Sequence, residues 1–154
     1  MLGITNVTFD HLSYSLGGRQ RVFLAKYSPQ GRLLWVDIAG DPNNNSYGLG
    51  LTVSNNETVY LTGEFSGTAQ FGSHSIIGDR DIFLAKYDAC GEVSWVRKIS
   101  NANQTLEHGV KGTASDATNN VYLTGSYGGT QVFDQNHTMT SRGRSYDVFL
   151  AKYS

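Results

Sequence analysis

The pentapeptide Phe-Leu-Ala-Lys-Tyr occurs three times in this chain of 154 residues, at positions 23–27, 83–87 and 149–153. Rare residues recur in step with it, because Trp35 and Trp95 follow the first and second copies at the same spacing. Self-similarity at a fixed period is the sequence signature of a repeat protein. The chain is therefore predicted to consist of units of about 60 residues.

Each complete unit is predicted to contain four β-strands. Runs of aromatic and β-branched residues are separated by Gly, Pro and Asn, which is typical of short strands joined by tight turns. In the central unit the predicted strands are 48–54, 58–64, 81–87 and 93–99, from the innermost outward. The second strand carries Val-Tyr-Leu-Thr-Gly, which recurs at 121–125. No stretch has helical periodicity, so the units are predicted to be antiparallel sheets.

This pattern predicts an all-β fold made of four-stranded, antiparallel β-propeller-type blades. A solenoid is the alternative, but solenoid coils usually repeat after about 20 to 30 residues. We expect one repeat domain over residues 1–154. It would comprise the outer half of a blade (1–39), a complete blade (40–100) and a blade without its outer strand (101–154).

About two repeats cannot close a propeller, which has about 4 to 8 blades. Two interpretations follow from this count. The chain is a slice of a larger propeller with further blades, or several copies form a ring in which one chain's outer half completes another's open blade. The third strand occurs three times and the outer strand twice, which favours the slice.

The alternation of side chains along a strand places Phe, Ala and Tyr of each pentapeptide on one face. Their recurrence predicts contacts between blades rather than a repeated active site. The predicted repeat core consists of Phe23, Ala25, Tyr27, Trp35, Phe83, Ala85, Tyr87, Trp95, Phe149, Ala151 and Tyr153.

The repeat resembles the bacterial β-propeller family known as SBBP. The resemblance rests on Asp-Ile-Phe-Leu-Ala-Lys-Tyr-Asp at 81–88, Gly91, Trp95, the stretch 109–115, Asn-Val-Tyr-Leu-Thr-Gly at 120–125 and the spacer 66–72. It implies a propeller array in an extracellular or cell-surface bacterial protein. It also implies a binding or scaffold module rather than an enzyme.

The composition limits the classes of partner. The formal net charge is −1, from 12 Lys and Arg against 13 Asp and Glu, so no electrostatic attraction to nucleic acid is expected. No apolar run approaches the roughly 20 residues that span a bilayer, and the first residues lack the pattern of a signal peptide. We expect no nucleic-acid partner, no membrane insertion and no signal peptide in this chain.

The loops that join an outer strand to the next inner strand, 40–47 and 100–108, are predicted to lie on one face of the blades. They offer hydrogen-bonding groups and an aromatic ring to a ligand. The candidate ligand-binding residues are Asp41, Asn43, Asn44, Asn45, Tyr47, Glu107 and His108. The competing interpretation is that Asn and Asp serve only the turn conformations of these loops.

The sequence predicts no catalytic residues, cofactor or metal site. The four histidines and the single Cys90 do not have zinc-ligand spacing, and no calcium loop, phosphate-binding loop or nucleophile elbow is present.

These observations predict a non-catalytic module that binds protein or carbohydrate through its Asn-rich loops. One alternative is a glycan-processing enzyme, which would bring two loop-borne carboxylates within about 5 to 10 Å. The other is a purely structural fragment whose function is assembly into a homo-oligomer.

Overall fold

The structure is a computed structural model that describes residues 6–16, 19–101, 109–143 and 145–154. The secondary structure in these ranges consists of β-strands, without helices, which confirms the predicted all-β class. The strands are β1 (Asn6–Phe9), β2 (Leu12–Ser15), β3 (Val22–Tyr27), β4 (Leu33–Ala39), β5 (Ser46–Val53), β6 (Val59–Phe71), β7 (His74–Tyr87), β8 (Val93–Asn101), β9 (Gly109–Ser115), β10 (Val121–Tyr127), β11 (Thr130–Val132), β12 (Thr138–Thr140) and β13 (Asp147–Tyr153).

The antiparallel blades expected from the repeat are present. Strands β5 to β8 pair consecutively and form the central blade, whereas β9, β10 and β13 form the three-stranded C-terminal blade. Strands β3 and β4 pair with each other and form the N-terminal half-blade. The described residues contain no membrane-spanning helix.

The three copies of the pentapeptide occupy the same position in their sheets. In the central blade Ala85 lies opposite Leu61 of β6 on one side and Val96 of β8 on the other. Ala151 lies opposite the matching leucine of β10, and Ala25 lies opposite the matching valine of β4. Each copy is therefore the third strand of its unit.

The central blade is covered on both faces. On one face Phe83 and Tyr87 share an apolar cluster with Leu24 of the N-terminal half-blade. On the other face Leu84 shares a second cluster with Phe149 of the C-terminal blade. Burying a side chain of this size contributes about 1.5 to 3 kcal/mol. Contacts between blades, rather than within one sheet, therefore form the core.

Two of the predicted core residues are exposed. Phe23 is 54% exposed and Tyr27 is 46% exposed, because no described blade packs on their face of β3. The phenylalanine and tyrosine of the second and third copies are buried. Ala85 is buried as well, and the remaining predicted core residues, Ala25, Trp35, Trp95 and Ala151, are partly buried.

The segments expected to be spacers between the second and third strands are β-hairpins. In the central blade the end of β6 pairs with the start of β7, so that Ala69 lies opposite Ile76. The corresponding hairpins of the other units are β1–β2 and β11–β12. Buried Ala69 and Phe71 alternate with exposed neighbours, and this period of two is the signal that the spacer interpretation missed.

Each of two hairpins also reaches back to the preceding unit. Gln131 of β11 lies opposite Asn101 of β8, so the central blade and this hairpin form one six-stranded sheet. Gln70 makes the same contact with Gly40, through backbone hydrogen bonds of 2.9 and 3.2 Å. These contacts join successive units at the edge that carries the predicted binding loops.

Candidate functional site

The loop between β4 and β5 is held in place by a buried carboxylate. Asp41 accepts hydrogen bonds from the backbone N–H groups of Asn43 at 2.7 Å and Thr68 at 2.6 Å, and from the Asn44 side chain at 3.2 Å. The bond from Asn43 is the main cause that holds the pKa of Asp41 below its usual range, against the opposing effect of burial. Asp41 and Asn44 therefore fasten this loop to the β6–β7 hairpin.

The close approach of the loop depends on a glycine in the hairpin. Gly67 has a φ of +80°, and a Cβ added there would collide with the Asp41 carboxylate. From the sequence, the acidic and amide residues of this loop could have two roles, to bind a ligand or to shape the turn. For Asp41 and Asn44 the structure shows the second role.

Asn45 bonds to two other segments of the chain, through its side chain and through its backbone. Its side-chain oxygen accepts a hydrogen bond from the backbone N–H of Gln20 at 3.3 Å, and its backbone carbonyl accepts one from Ser66 at 3.2 Å. Asn43 is exposed beside it. Glu107 and His108, the other two candidates of the predicted binding face, lie outside the described residues.

A polar pocket of about 320 Å³ opens beside this loop. We call it the loop-face pocket. It is lined by Asn45, Tyr47, Glu64, Phe65, Ser66 and Arg80. Two of these residues, Asn45 and Tyr47, belong to the predicted binding set. The pocket therefore lies where the sequence placed a binding surface, but different residues supply its charge.

Neighbouring strands of the central blade position the pocket residues. Tyr47 of β5 lies directly opposite Glu64 of β6. Arg80 of β7 has a φ of +54°, and its backbone N–H donates to the Ser66 hydroxyl at 3.0 Å. The β6–β7 pairing shifts register between Phe65 and Gly67, and this irregularity turns Arg80 away from the regular ladder.

The pocket combines three kinds of recognition chemistry. Tyr47 is 42% exposed and its ring offers a flat apolar surface, and buried Phe65 also lines the pocket. Glu64 supplies a hydrogen-bond acceptor with negative charge, and Arg80 supplies a planar cationic donor. The site can therefore bind a ligand with both acidic and basic groups.

Sequence reasoning missed Glu64 and Arg80 as members of this site. The signal for Glu64 was available, because pairing the predicted first and second strands places it next to Tyr47. Arg80 gave no such signal, since its position depends on the register shift in β6–β7.

A further well-connected carboxylate closes a turn. Asp116, between β9 and β10, accepts hydrogen bonds from Thr118, Asn120 and the Tyr122 hydroxyl. The Asn120 side chain is the main cause that holds the pKa of Asp116 well below its usual range. In the described part of the chain, no group of three or more His, Cys, Asp or Glu side chains could hold a metal ion.

Comparison with known proteins supports the propeller-type repeat. No family model matches the chain. An uncharacterized WD repeat-containing protein of Acanthamoeba polyphaga mimivirus is 24% identical to it over 172 aligned residues. The alignment covers 99% of this chain and 12% of that protein. Together with the sheets described above, this likeness identifies β-propeller-type repeats, whereas the assignment to the SBBP family stays a prediction.

Proposed function

We propose that the chain is a non-catalytic, propeller-type binding module that recognises a protein through the loop-face pocket. The observation that carries the proposal is that exposed Tyr47 lines one pocket together with the opposite charges of Glu64 and Arg80. All three residues stand on strands of the central blade, which is covered on both faces. A site on such rigid elements binds without a large ordering cost.

The charges of the pocket favour a protein segment over a neutral sugar. Arg80 can form a bidentate contact with a carboxylate, and Glu64 can accept hydrogen bonds from a lysine or arginine. Tyrosine and arginine are enriched in protein interfaces and among their energetically dominant residues. The expected ligand is an extended segment that presents acidic and basic side chains close together.

Carbohydrate is the second candidate ligand, because a sugar ring can stack on Tyr47 and bond to Asn45 and Glu64. We also propose that the module belongs to a secreted or cell-surface bacterial protein, as the SBBP resemblance implies. Glycoside hydrolysis generally uses two carboxylates. Among the described residues that line the pocket, Glu64 is the sole carboxylate, which is why we propose binding rather than catalysis.

The test is a parallel screen of the purified chain against a library of charged peptides and an array of glycans. We expect micromolar binding to peptides of mixed charge that weakens with added salt. Tyr47→Ala, Glu64→Gln and Arg80→Asn should each weaken this binding by roughly 10-fold or more. Asn is chosen at position 80 because it tolerates a positive φ.

A matched control separates the pocket from surface tyrosines in general. Tyr146→Ala removes a tyrosine that is 51% exposed and does not line the pocket, so binding should be unchanged. If the wild type binds glycans and Tyr47→Ala does not, the ligand of the pocket is a carbohydrate rather than a peptide. Binding to neither class, or binding that the three pocket variants leave intact, would refute the proposal.

A further inference from the structure

We infer that a second copy of this chain docks by strand exchange, in which its β3–β4 pair takes the place of β13 beside β10. The inference concerns the faces between blades and is independent of the loop-face pocket. It follows from four features of the described strands: a duplicated element, a free strand edge, matching apolar surfaces and an exposed strand that can be replaced.

The duplicated element is the hairpin followed by the third strand. Strands β3 and β13 both contain Val-Phe-Leu-Ala-Lys-Tyr. The rings of Phe9 and Phe23 lie 5.0 Å apart at 61°, and those of Phe133 and Phe149 lie 5.1 Å apart at 67°. Strand β3 therefore repeats β13 in sequence, and a phenylalanine ahead of each strand packs on it in the same way, so β10 can pair with either third strand in the same register.

The free edge belongs to β3. In the other two units this edge of the pentapeptide pairs with the strand that contains Val-Tyr-Leu-Thr-Gly, β6 or β10. Among the described strands β3 pairs with β4 alone. Two depressions of about 250 and 740 Å³ adjoin β3 and reach β5, where Leu49, Leu51 and Val53 line them. This is the space that a β9–β10 pair from another copy would fill.

The outward face of β3 matches a surface that is already used inside the molecule. Phe149 and Tyr153 are 1% and 8% exposed, because they lie against the central blade. Phe23 and Tyr27 stand at the same positions of β3 and are largely exposed. After the exchange they would lie against the central blade of the second copy, as Phe149 and Tyr153 do now.

The inner strands match as well. Inside the molecule the hydroxyl of Thr52 lies 3.0 Å from that of Ser115, which is a polar contact between adjacent blades. By register, Ala114 corresponds to Thr52, and Val53 corresponds to Ser115. The exchange would therefore place Ala114 of one copy against exposed Val53 of another. The contact between blades of one chain is therefore polar, between Thr52 and Ser115. The corresponding contact between two chains would be apolar, between Ala114 and Val53.

The strand that leaves is uncovered on its outward face. Val148 and Leu150 of β13 are each 75% exposed, whereas Val22 and Leu24 at the same positions of β3 are 4% and 8% exposed. Replacement of β13 by β3 also brings in β4 as the outer strand. Two copies then share a four-stranded blade, and each copy contributes two blades to the assembly.

The arrangement is head to tail, because the surfaces on the two partners differ. A propeller with about 4 to 8 blades would then contain two to four copies.

Light scattering of the full chain over a concentration series tests the exchange. We expect a discrete species of two to four copies in equilibrium with the monomer. Leu51→Asp should raise the dissociation constant roughly 100-fold, because the carboxylate would be buried between copies. Leu150→Asp is the matched control: the side chain is exposed before the exchange and after it, so assembly should be unchanged.

A circular-dichroism spectrum of each variant checks that it is folded. Phe23→Asp serves as a second variant, since it acts on the outward face of β3 rather than on the inner strand. A chain that stays monomeric at all concentrations overturns the inference. So does assembly that survives both Leu51→Asp and Phe23→Asp. Loss of assembly in Leu150→Asp also overturns it, because that result requires the β13 face to be part of the interface.

Discussion

Strands β7 and β13 carry the same pentapeptide in the same position of their sheets, but they differ in what covers them. Leu84 of β7 is fully buried beneath the C-terminal blade, whereas Leu150 of β13 is 75% exposed. Both leucines follow a phenylalanine and precede Ala-Lys-Tyr. The difference teaches that local sequence sets strand and register in this molecule, while the neighbouring blade determines how much each residue stabilises the fold.

The largest predicted effect is a difference between these two leucines. Leu84→Ala should lower the free energy of unfolding by about 2 to 5 kcal/mol, because it leaves a cavity between two blades. Leu150→Ala should change it by less than about 0.5 kcal/mol. Urea denaturation of the monomeric chain measures both. Similar losses for the two variants would show that the blades do not pack as described.

The tyrosines of the same two strands give the next contrast. The Tyr87 hydroxyl donates to the Asp37 carboxylate of the preceding unit at 3.0 Å, whereas the Tyr153 hydroxyl donates to the Phe133 carbonyl at 3.5 Å. Tyr87→Phe should cost about 1 to 3 kcal/mol, since it removes a hydrogen bond to a charged group. Tyr153→Phe should cost less, because its bond is long. Thermal unfolding at pH 7 ranks the two, and the reverse order would contradict the geometry.

These tyrosines also predict a loss of stability at alkaline pH. Burial, followed by the nearby Asp37 charge, raises the pKa of Tyr87 far above its ordinary value of 10.0. Burial raises the pKa of Tyr153 to about 12. Both raised pKa values favour the neutral form in the folded state, so the stability they contribute is complete below pH 10 and is lost as the pH rises above it.

The expected size of this loss is about 1.4 kcal/mol per tyrosine for each pH unit above 10. Each Tyr→Phe variant should lose less stability than the wild type between pH 9 and pH 11. Urea titrations at these two pH values provide the measurement. If both variants lose as much stability as the wild type between pH 9 and pH 11, groups other than these tyrosines cause the loss.

The smallest predicted effect contrasts two turns. Asp116 accepts several hydrogen bonds between β9 and β10, and Ser54 holds the corresponding turn of the central blade by donating to Asn56 and the Thr58 carbonyl. Asp116→Ser should lower the melting temperature slightly at pH 7. Because the pKa of Asp116 is lowered in the folded state, its contribution is present above pH 4 and is lost as the pH falls. The difference in melting temperature between variant and wild type should therefore be smaller at pH 2 than at pH 7. An equal difference at both pH values would show that the charge of the carboxylate does not stabilise the turn.

Much of the fold follows from the sequence because each unit repeats its strand signals. Val-Tyr-Leu-Thr-Gly and Phe-Leu-Ala-Lys-Tyr recur with their turns, and the observed register joins them in the same way in the central and C-terminal blades. The hairpin β11–β12 could not be predicted in this way. Its three-residue strands are stabilised by pairing with β8 of the preceding blade, which is a tertiary contact.

The candidate site was partly predictable. The Asn-rich loop adjoins the loop-face pocket, and Asn45 and Tyr47 line it. The roles of Asp41 and Asn44 depended on the approach of Thr68 and Gly67 from another strand, which no local pattern reports. Composition alone cannot distinguish a carboxylate that shapes a loop from one that faces a ligand.

Amide hydrogen exchange in the three pentapeptides tests the central claim, that they hold one strand position and differ only in their neighbours. Strand β7 is paired on both edges, β3 only with β4, and β13 only with β10, among the described strands. Successive amides of a strand point to opposite edges. In the monomer all the pentapeptide amides of β7 should exchange slowly, and alternate amides should be slow in β3 and in β13. The slow set of β3 should be the fast set of β13. The same slow set in both strands, or fast exchange throughout β7, would contradict the account.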